Sequence, residues 1–381
     1  MIGPRPARGW MSIRNYTEAT AAVAGTFGRV ESRAASWWAP RPIGALLDLK
    51  RKRPPLDLRD AADFDLVHIA DLGLGYLADS VRGPKTVVTV HDAMPLFVPG
   101  FWGSRRDQIF GRTLLRQPIR GALKADRIIT VSESSARDIQ RELGVANDQI
   151  SVVSVPIGET YSPRVGPERN LLAEGIRLPP GPRVMSIGDS ANYKNLGLLL
   201  RALATPGLAG ATLVRVGGKL TSDQLKLARQ LGLEGRILEL GSISREAVVN
   251  LYSACDVVAQ PSRYEGFGMP VAEAMACGTP VVCTDQGALP EVAGGAAIVV
   301  ALDVSAADRN PQVVGAFAAA IASVLEDTAL AARLTERGFA RARAFRPQAI
   351  APRLAGAYAR VLGHPFAEGS FGSPPAMLQV S

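Results

Sequence analysis

Short runs of branched apolar residues alternate with helix-forming sequence along this 381-residue chain, and that alternation restricts its fold more than any other feature. The runs fall at 66–69, 86–90, 127–131, 150–155, 184–187, 212–216, 237–240, 257–260 and 281–284. Apolar side chains at consecutive positions suit strands buried on both faces, the situation in a parallel sheet. Stretches 133–143, 195–204, 222–231 and 245–254 carry helical periodicity between them. Repeated strand, helix, strand order predicts an α/β fold of doubly wound sheets, whose ligands bind at the carboxyl ends of the strands. The length exceeds one ordinary core and suffices for two such domains. A Pro- and Gly-rich interval without strand signals, 156–182, separates two series of runs. The expected organisation is an N-terminal domain over 1–158, a linker over 159–182, a C-terminal domain over 183–345, a helix within 346–362 and a disordered tail over 363–381.

Residues 263 to 285 hold the densest chemistry. Gly266 and Gly268 permit close backbone approach, Pro270 suits a first helical position, and Gly278 suits the residue just past a helix end. A short helix over 270–277 follows, whose N-terminus offers unpaired N–H groups and a positive dipole end, a seat for phosphate. Glu265 precedes it and Glu273 lies one turn inside. Two acceptor-only side chains beside an anion seat point to sugar hydroxyls.

Glu265 and Glu273 have seven residues between them and are embedded in Glu-Gly-Phe-Gly-Met-Pro and Glu-Ala-Met-Ala-Cys-Gly-Thr-Pro. This arrangement resembles the signature of retaining GT-B glycosyltransferases of family four, the glycosyl transferases group one. The likeness continues through Leu251-Tyr-Ser-Ala-Cys-Asp256, Pro261-Ser262, and Gly188 with Lys194-Asn195. It reaches the first half at Val90-His91-Asp92 and Ala125-Asp-Arg-Ile-Ile-Thr-Val-Ser132, covering roughly 64–360, and is nearest to bacterial mannosyltransferase-like enzymes. The resemblance implies two Rossmann-like domains facing a cleft, with the helix at 346–362 crossing back to the N-terminal, acceptor-side domain. It implies transfer of a hexose from a nucleotide-diphosphate sugar, GDP-mannose favoured, to a glycan or lipid-linked acceptor with retention of configuration. The leaving phosphate would itself help deprotonate the acceptor. Glu265 would contact the transferred sugar and Glu273 the ribose, while the backbone of Gly266, Phe267, Gly268 and Met269 meets the phosphates. The turn 241–244, with Ile243, would meet the base.

Single residues gain weight from this setting. Lys194, six residues after Gly188, can reach the same diphosphate and stabilise the leaving charge. Family members often carry a further basic residue near that glycine, whereas Asp189 and Tyr193 stand here, a departure for which Arg263 or Lys219 could compensate. His91 ends a strand run where its ring can hydrogen-bond a donor sugar, while His68 reads as a structural histidine. The sequence shows neither an Asp-x-Asp pair nor metal-ligand spacing, so no cofactor is expected and catalysis should be metal-independent, the nucleotide sugar being a substrate. Cys255, Cys277 and Cys283 sit in apolar contexts and read as reduced packing residues.

The N-terminal region is irregular. Family members open on a hydrophobic strand and a glycine-rich loop, yet helical sequence begins here near Asn15, so the first strand is expected to be missing. Then come Trp37-Trp38 and the basic run 50–53, readable as peripheral contact with an anionic membrane face or as a solvated loop. The net charge of +8 would suit phosphates generally, but no nucleic-acid-binding motif accompanies it. With no apolar run long enough to span a bilayer and no signal-like start, a cytoplasmic location is expected, with any membrane contact at the inner face. Two alternatives remain open: a nucleotide-sugar epimerase of the same fold, and a non-catalytic sugar-nucleotide-binding or partner protein.

Overall fold

The computed structural model describes residues 1–4, 11–35, 59–98, 101, 105–303 and 309–366. Two compact units divide the chain: Met1–Pro156 with Arg346–Ser381, and Ile157–Phe345.

The first unit is built on β1 (Ile2–Pro4), α1 (Met11–Ala24), β2 (Arg33–Ala35), β3 (Leu66–Ile69), β4 (Lys85–Thr89), α2 (Met94–Phe97), α3 (Arg105–Ala122), β5 (Arg127–Thr130), α4 (Glu133–Leu143) and β6 (Ile150–Val152). Its six strands form one parallel sheet in the order β2-β1-β3-β4-β5-β6. Helix α4 occupies the expected span because Ser132 caps it, accepting from Ser135 N, and Gly144 ends it in a left-handed conformation at φ 68°.

The first strand is present, contrary to expectation. β1 lies inside the sheet, in register with β2 from Ile2↔Arg33 to Pro4↔Ala35 and with β3 at Ile2↔Ile69. Arg33 N donates to Met1 O at 2.9 Å and Ala70 N to Ile2 O at 2.8 Å. Ile2, at 4% exposure, is its apolar contribution to the core, too little to register as a run in the sequence. Backbone pairing makes this strand, and hydropathy does not announce it. Trp37, Trp38 and the basic run 50–53 lie outside the described residues.

The second unit comprises α5 (Pro167–Ala173), β7 (Arg183–Gly188), α6 (Leu196–Leu203), β8 (Thr212–Gly217), α7 (Ser222–Gln230), β9 (Ile237–Gly241), α8 (Arg245–Ala254), β10 (Val257–Gln260), α9 (Met269–Cys277), β11 (Val281–Thr284), α10 (Leu289–Ala293), β12 (Ile298–Val300), α11 (Pro311–Glu326) and α12 (Thr328–Ala342). Its parallel sheet runs β12-β11-β10-β7-β8-β9. Strand order reverses between the neighbours β7 and β10, which makes their carboxyl ends the switch point where doubly wound sheets bind ligands. Leu198 and Leu199 of α6 pack with Phe317 and Ile321 of α11 in a core that shields one face of the sheet. The interval expected as a linker is strand-free but structured: Gly166 and Pro167 start α5, Leu171 is fully buried, and Asn170 Nδ2 donates to Asn250 Oδ1 on α8 at 3.0 Å.

The chain then re-enters the first unit as α13 (Pro347–Leu362), whose Ile350, Leu354 and Tyr358 pack with Val23 and Phe27 from α1 and its end. A buried polar chain ties the elements: Tyr16 hydroxyl to Thr89 Oγ1 at 3.0 Å, Thr89 Oγ1 to His68 Nε2 at 2.7 Å, and His68 Nδ1 to the Tyr358 hydroxyl at 2.7 Å. Burial drives the His68 pKa down to about 3, so the ring stays neutral. Residues 363–366, expected within a disordered tail, are placed instead by Phe366, whose ring packs edge-on against Phe27 at 4.9 Å; residues 367–381 lie outside the described residues.

Candidate functional site

At the switch point, the loops after β7 and β10 are stitched together. Asn195 takes a left-handed conformation, φ 53°, and its Nδ2 donates to Pro261 O at 3.0 Å; Arg263 N donates to Tyr193 O at 2.7 Å. These links bring Lys194 Nζ to 2.8 Å from Glu265 Oε1, with side-chain exposures of 14% and 11%. Gly188, at φ 133°, takes a backbone conformation that favours glycine, and Lys194 lies alongside it. Glu265 Oε1 also accepts from Gln260 Nε2 at 2.6 Å and Ser262 Oγ at 2.7 Å. Three donors converge on one oxygen, while Glu265 Oε2 accepts from no group among the described residues. A carboxylate held this way is fixed in direction and keeps one oxygen for a ligand hydroxyl.

Beyond Glu265 the backbone turns into α9, one residue earlier than the sequence predicts. Gly268 at φ 95° and Gly278 at φ 86° bracket the helix. The turn is buttressed by Ala288 N donating to Glu265 O at 2.9 Å, and a β-carbon on Gly287 would lie 2.4 Å from that carbonyl. Phe267 turns its ring into the core, 5.4 Å from Phe345, so it presents backbone rather than side chain. In the first turn of α9 Val271 N and Ala272 N donate to Gly268 O at 3.0 and 3.4 Å and Pro270 has no N–H, so the N–H groups of Gly268 and Met269, which donate to no described residue, are the ones left for an anion.

Glu273 is more enclosed than its sequence position implies. It is 5% exposed, and Oε2 accepts from the Tyr252 hydroxyl at 2.8 Å. Burial raises its pKa, opposed by hydrogen bonds from Tyr252 and Tyr161 and by the charge of Arg245. It is a braced buried acid rather than an open acceptor.

His91 belongs to the first unit. Its Nε2 donates to Ala70 O at 3.0 Å, which assigns the proton to Nε2 and leaves Nδ1 as an acceptor; Tyr16 packs edge-on at 4.6 Å. Burial holds its pKa down at about 4, so it is neutral at physiological pH. Ile243 is half-buried beside the end of β9, two strands from β7, the strand that leads to Lys194. Among the described residues no group of three His, Cys, Asp or Glu is placed to hold a metal, and the three cysteines are buried and free.

Sequence reasoning missed Gln260, Ser262 and Arg215. Gln260 ends β10, where it reads as part of an apolar run, yet its amide bonds to both Ser262 and Glu265. Arg215 sits within β8 at 1% exposure with its guanidinium on the loop after β7. A charged residue inside a buried strand run was the one available signal.

Two parallel α/β units, the second with a cation–carboxylate pair and a glycine-bounded helix start at its switch point, define a GT-B glycosyltransferase. The model of the glycosyl transferases group 1 matches residues 178–341, and that of glycosyltransferase family 4 matches residues 17–158. The chain belongs to this glycosyltransferase family. It is 30% identical over 311 residues to the O-antigen chain mannosyltransferase B of Escherichia coli, covering 80% of this chain and 77% of that protein. It is 29% identical over 282 residues to the MMP alpha-(1->4)-mannosyltransferase of Mycolicibacterium hassiacum, covering 70% of this chain and 64% of that relative. In fold it is similar to Anabaena HepE in complex with UDP and glucose: TM-score 0.71, 20% identity, 94% of this chain and 98% of that chain covered.

Proposed function

We propose that this glycosyltransferase moves a hexose, mannose from GDP-mannose in the favoured reading, onto a glycan or lipid-linked acceptor with retention at the anomeric carbon. The observation that carries the reading is the Lys194–Glu265 pair at 2.8 Å, with the second carboxylate oxygen left for a sugar hydroxyl beside the start of α9. The mannose preference is supported by the two mannosyltransferase relatives.

In this reading the nucleotide diphosphate lies on the α9 N-terminus, where the Gly268 and Met269 N–H groups, the helix dipole and Lys194 stabilise the charge that develops as the glycosidic C1–O bond breaks. Each interaction of that kind contributes about 1 to 3 kcal/mol in a partly desolvated site. The bonding pair leaves with the diphosphate. The acceptor hydroxyl attacks C1 on the same face, and its proton passes to the departing phosphate oxygen, so no protein nucleophile is required. Glu265 Oε2 orients the sugar, and Glu273 meets the ribose with the acceptor capacity that Tyr252 and Tyr161 leave it. The braced Glu265 favours transfer over a binding-only role, since three donors on one oxygen make an orienting device.

A thermal-shift panel of nucleotide sugars tests the donor. A ligand at a hundred times its Kd adds about 2.7 kcal/mol of stability, so the true donor should stand out. GDP-mannose should give the largest shift, and NMR of the transfer product should show the donor's anomeric configuration. A larger shift with UDP-glucose would replace the donor, an inverted product would overturn retention, and no shift with any nucleotide sugar would overturn the reading.

A further inference from the structure

Among the described residues Arg215 is the largest fully buried side chain, and its charge has no carboxylate within ion-pair distance. Glu239, its register partner on β9, gives a carboxylate oxygen to Leu220 N at 2.7 Å instead. The β8–β9 register shifts immediately after Arg215, an irregularity of the kind that re-aims a side chain. The guanidinium reaches across to β7 and the loop that follows it. Nη2 donates to Gly188 O at 2.8 Å, Asp189 O at 2.5 Å and Ser190 Oγ at 3.3 Å, and Nη1 donates to Val216 O at 2.8 Å and Ser186 O at 3.2 Å.

These bonds determine how the loop faces. A trans peptide sets its N–H opposite its carbonyl, so turning the Gly188 and Asp189 carbonyls onto Arg215 turns the N–H groups of Asp189 and Ser190 away from it. Neither N–H donates to any described residue. The arrangement is locked by Gly218 N donating to Gly188 O at 2.8 Å and by Gln224 Nε2 donating to Ser190 O at 3.2 Å. A β-carbon on Gly217 would lie 2.3 Å from Gly188 O, so glycine is required at that close approach. Successive outward N–H groups make an anion-binding concavity, and a buried cation behind it, which Asp189 and Glu239 offset through space but do not pair with, adds a favourable potential.

We propose that Arg215 is a positioning residue for the diphosphate: it presents the Asp189 and Ser190 N–H groups to a phosphate and supplies, from behind the loop, the positive charge that the acidic Asp189 side chain does not. This rests on the nucleotide-diphosphate reading of the site. It also accounts for how a chain with Asp189 and Tyr193 around Lys194 can neutralise a diphosphate. Although burial lowers the Arg215 pKa to about 10, the group remains charged at neutral pH.

The test compares GDP with GMP, and UDP with UMP, by calorimetry on the full chain and on Arg215→Met and Arg215→Lys. A merely structural role would weaken diphosphate and monophosphate together. A phosphate-directed role should cut the diphosphate-over-monophosphate preference about tenfold in Arg215→Met, the scale of one lost neighbouring charge, with Arg215→Lys recovering part of it. A folded Arg215→Met with that preference intact overturns the role of Arg215 alone. Failure of the unaltered protein to bind either diphosphate overturns the reading of the whole site, and this role with it. Should Arg215→Met not fold, hydrogen exchange on the unaltered protein decides: amides 189 and 190 should gain protection with the diphosphate and not with the monophosphate, and equal behaviour overturns the proposal.

Discussion

Glu265 and Glu273 use the same chemical group in opposite ways. Glu265 spends one oxygen on Lys194, Gln260 and Ser262 and keeps the other for a ligand. Glu265→Gln retains shape but loses the charge that orients Lys194, so kcat should fall at least about tenfold while nucleotide affinity changes much less, the pattern of an interaction made in the transition state. Equal losses in kcat and affinity would show that Glu265 acts in ground-state binding. Glu273 is buried, with a pKa that desolvation raises, so its ionised form costs folding energy near neutral pH. Glu273→Gln should therefore leave Tm unchanged or higher while raising the donor KM. A large drop in Tm with KM preserved would make Glu273 a structural brace only.

The chain of hydroxyls and imidazole through Tyr16, Thr89, His68 and Tyr358 joins α1, β4, β3 and α13. A neutral imidazole has one donor and one acceptor, and protonation turns both nitrogens into donors, which breaks the pattern. The His68 pKa near 3 and the His91 pKa near 4 both lie below the ordinary 6.5. Between these values the unfolded chain binds more protons than the folded one, so stability is fully present above about pH 6.5 and is lost as pH falls toward 4 and 3. His68→Gln should flatten the slope of Tm against pH between 6.5 and 4 relative to the unaltered protein; identical slopes would show that His68 does not set it. Helix α13 is thereby anchored to the sheet by a hydrogen bond as well as by Ile350 and Leu354.

At the scale of the molecule, the second unit carries the Lys194–Glu265 pair, the α9 start and Arg215, and the first carries His91. Among the described residues no cluster is arranged for a divalent ion. With a helix N-terminus, Lys194 and a buried Arg215 available to oppose the diphosphate charge, turnover should be unchanged by EDTA. Complete loss on chelation, restored by magnesium or manganese alone, would show that a metal shares that task. Isolated residues 157–345 should be tested for nucleotide binding only alongside the full chain, because α13 closes the first unit only after the chain has passed through the second.

The sequence by itself determined the interior of both units. Nine apolar runs became strands at or near their predicted positions because a buried parallel strand needs consecutive apolar side chains, and α4 and α8 match their expected spans because Ser132, Gly144 and Ser244 mark their ends. Lys194, Glu265 and the glycines around α9 were legible too, since tight turns and helix starts constrain residue type locally. Strands β1, β2 and β12 were not, each being three residues long and made by pairing with distant segments rather than by its own pattern. Nor could the sequence show that Gln260 and Ser262 brace Glu265, that Tyr161 and Tyr252 enclose Glu273, or that Arg215 reaches beneath Gly188. Those relations join residues on neighbouring strands and loops, and only the tertiary fold sets which loop ends meet, because sheet order and register depend on long-range pairing that local sequence does not encode.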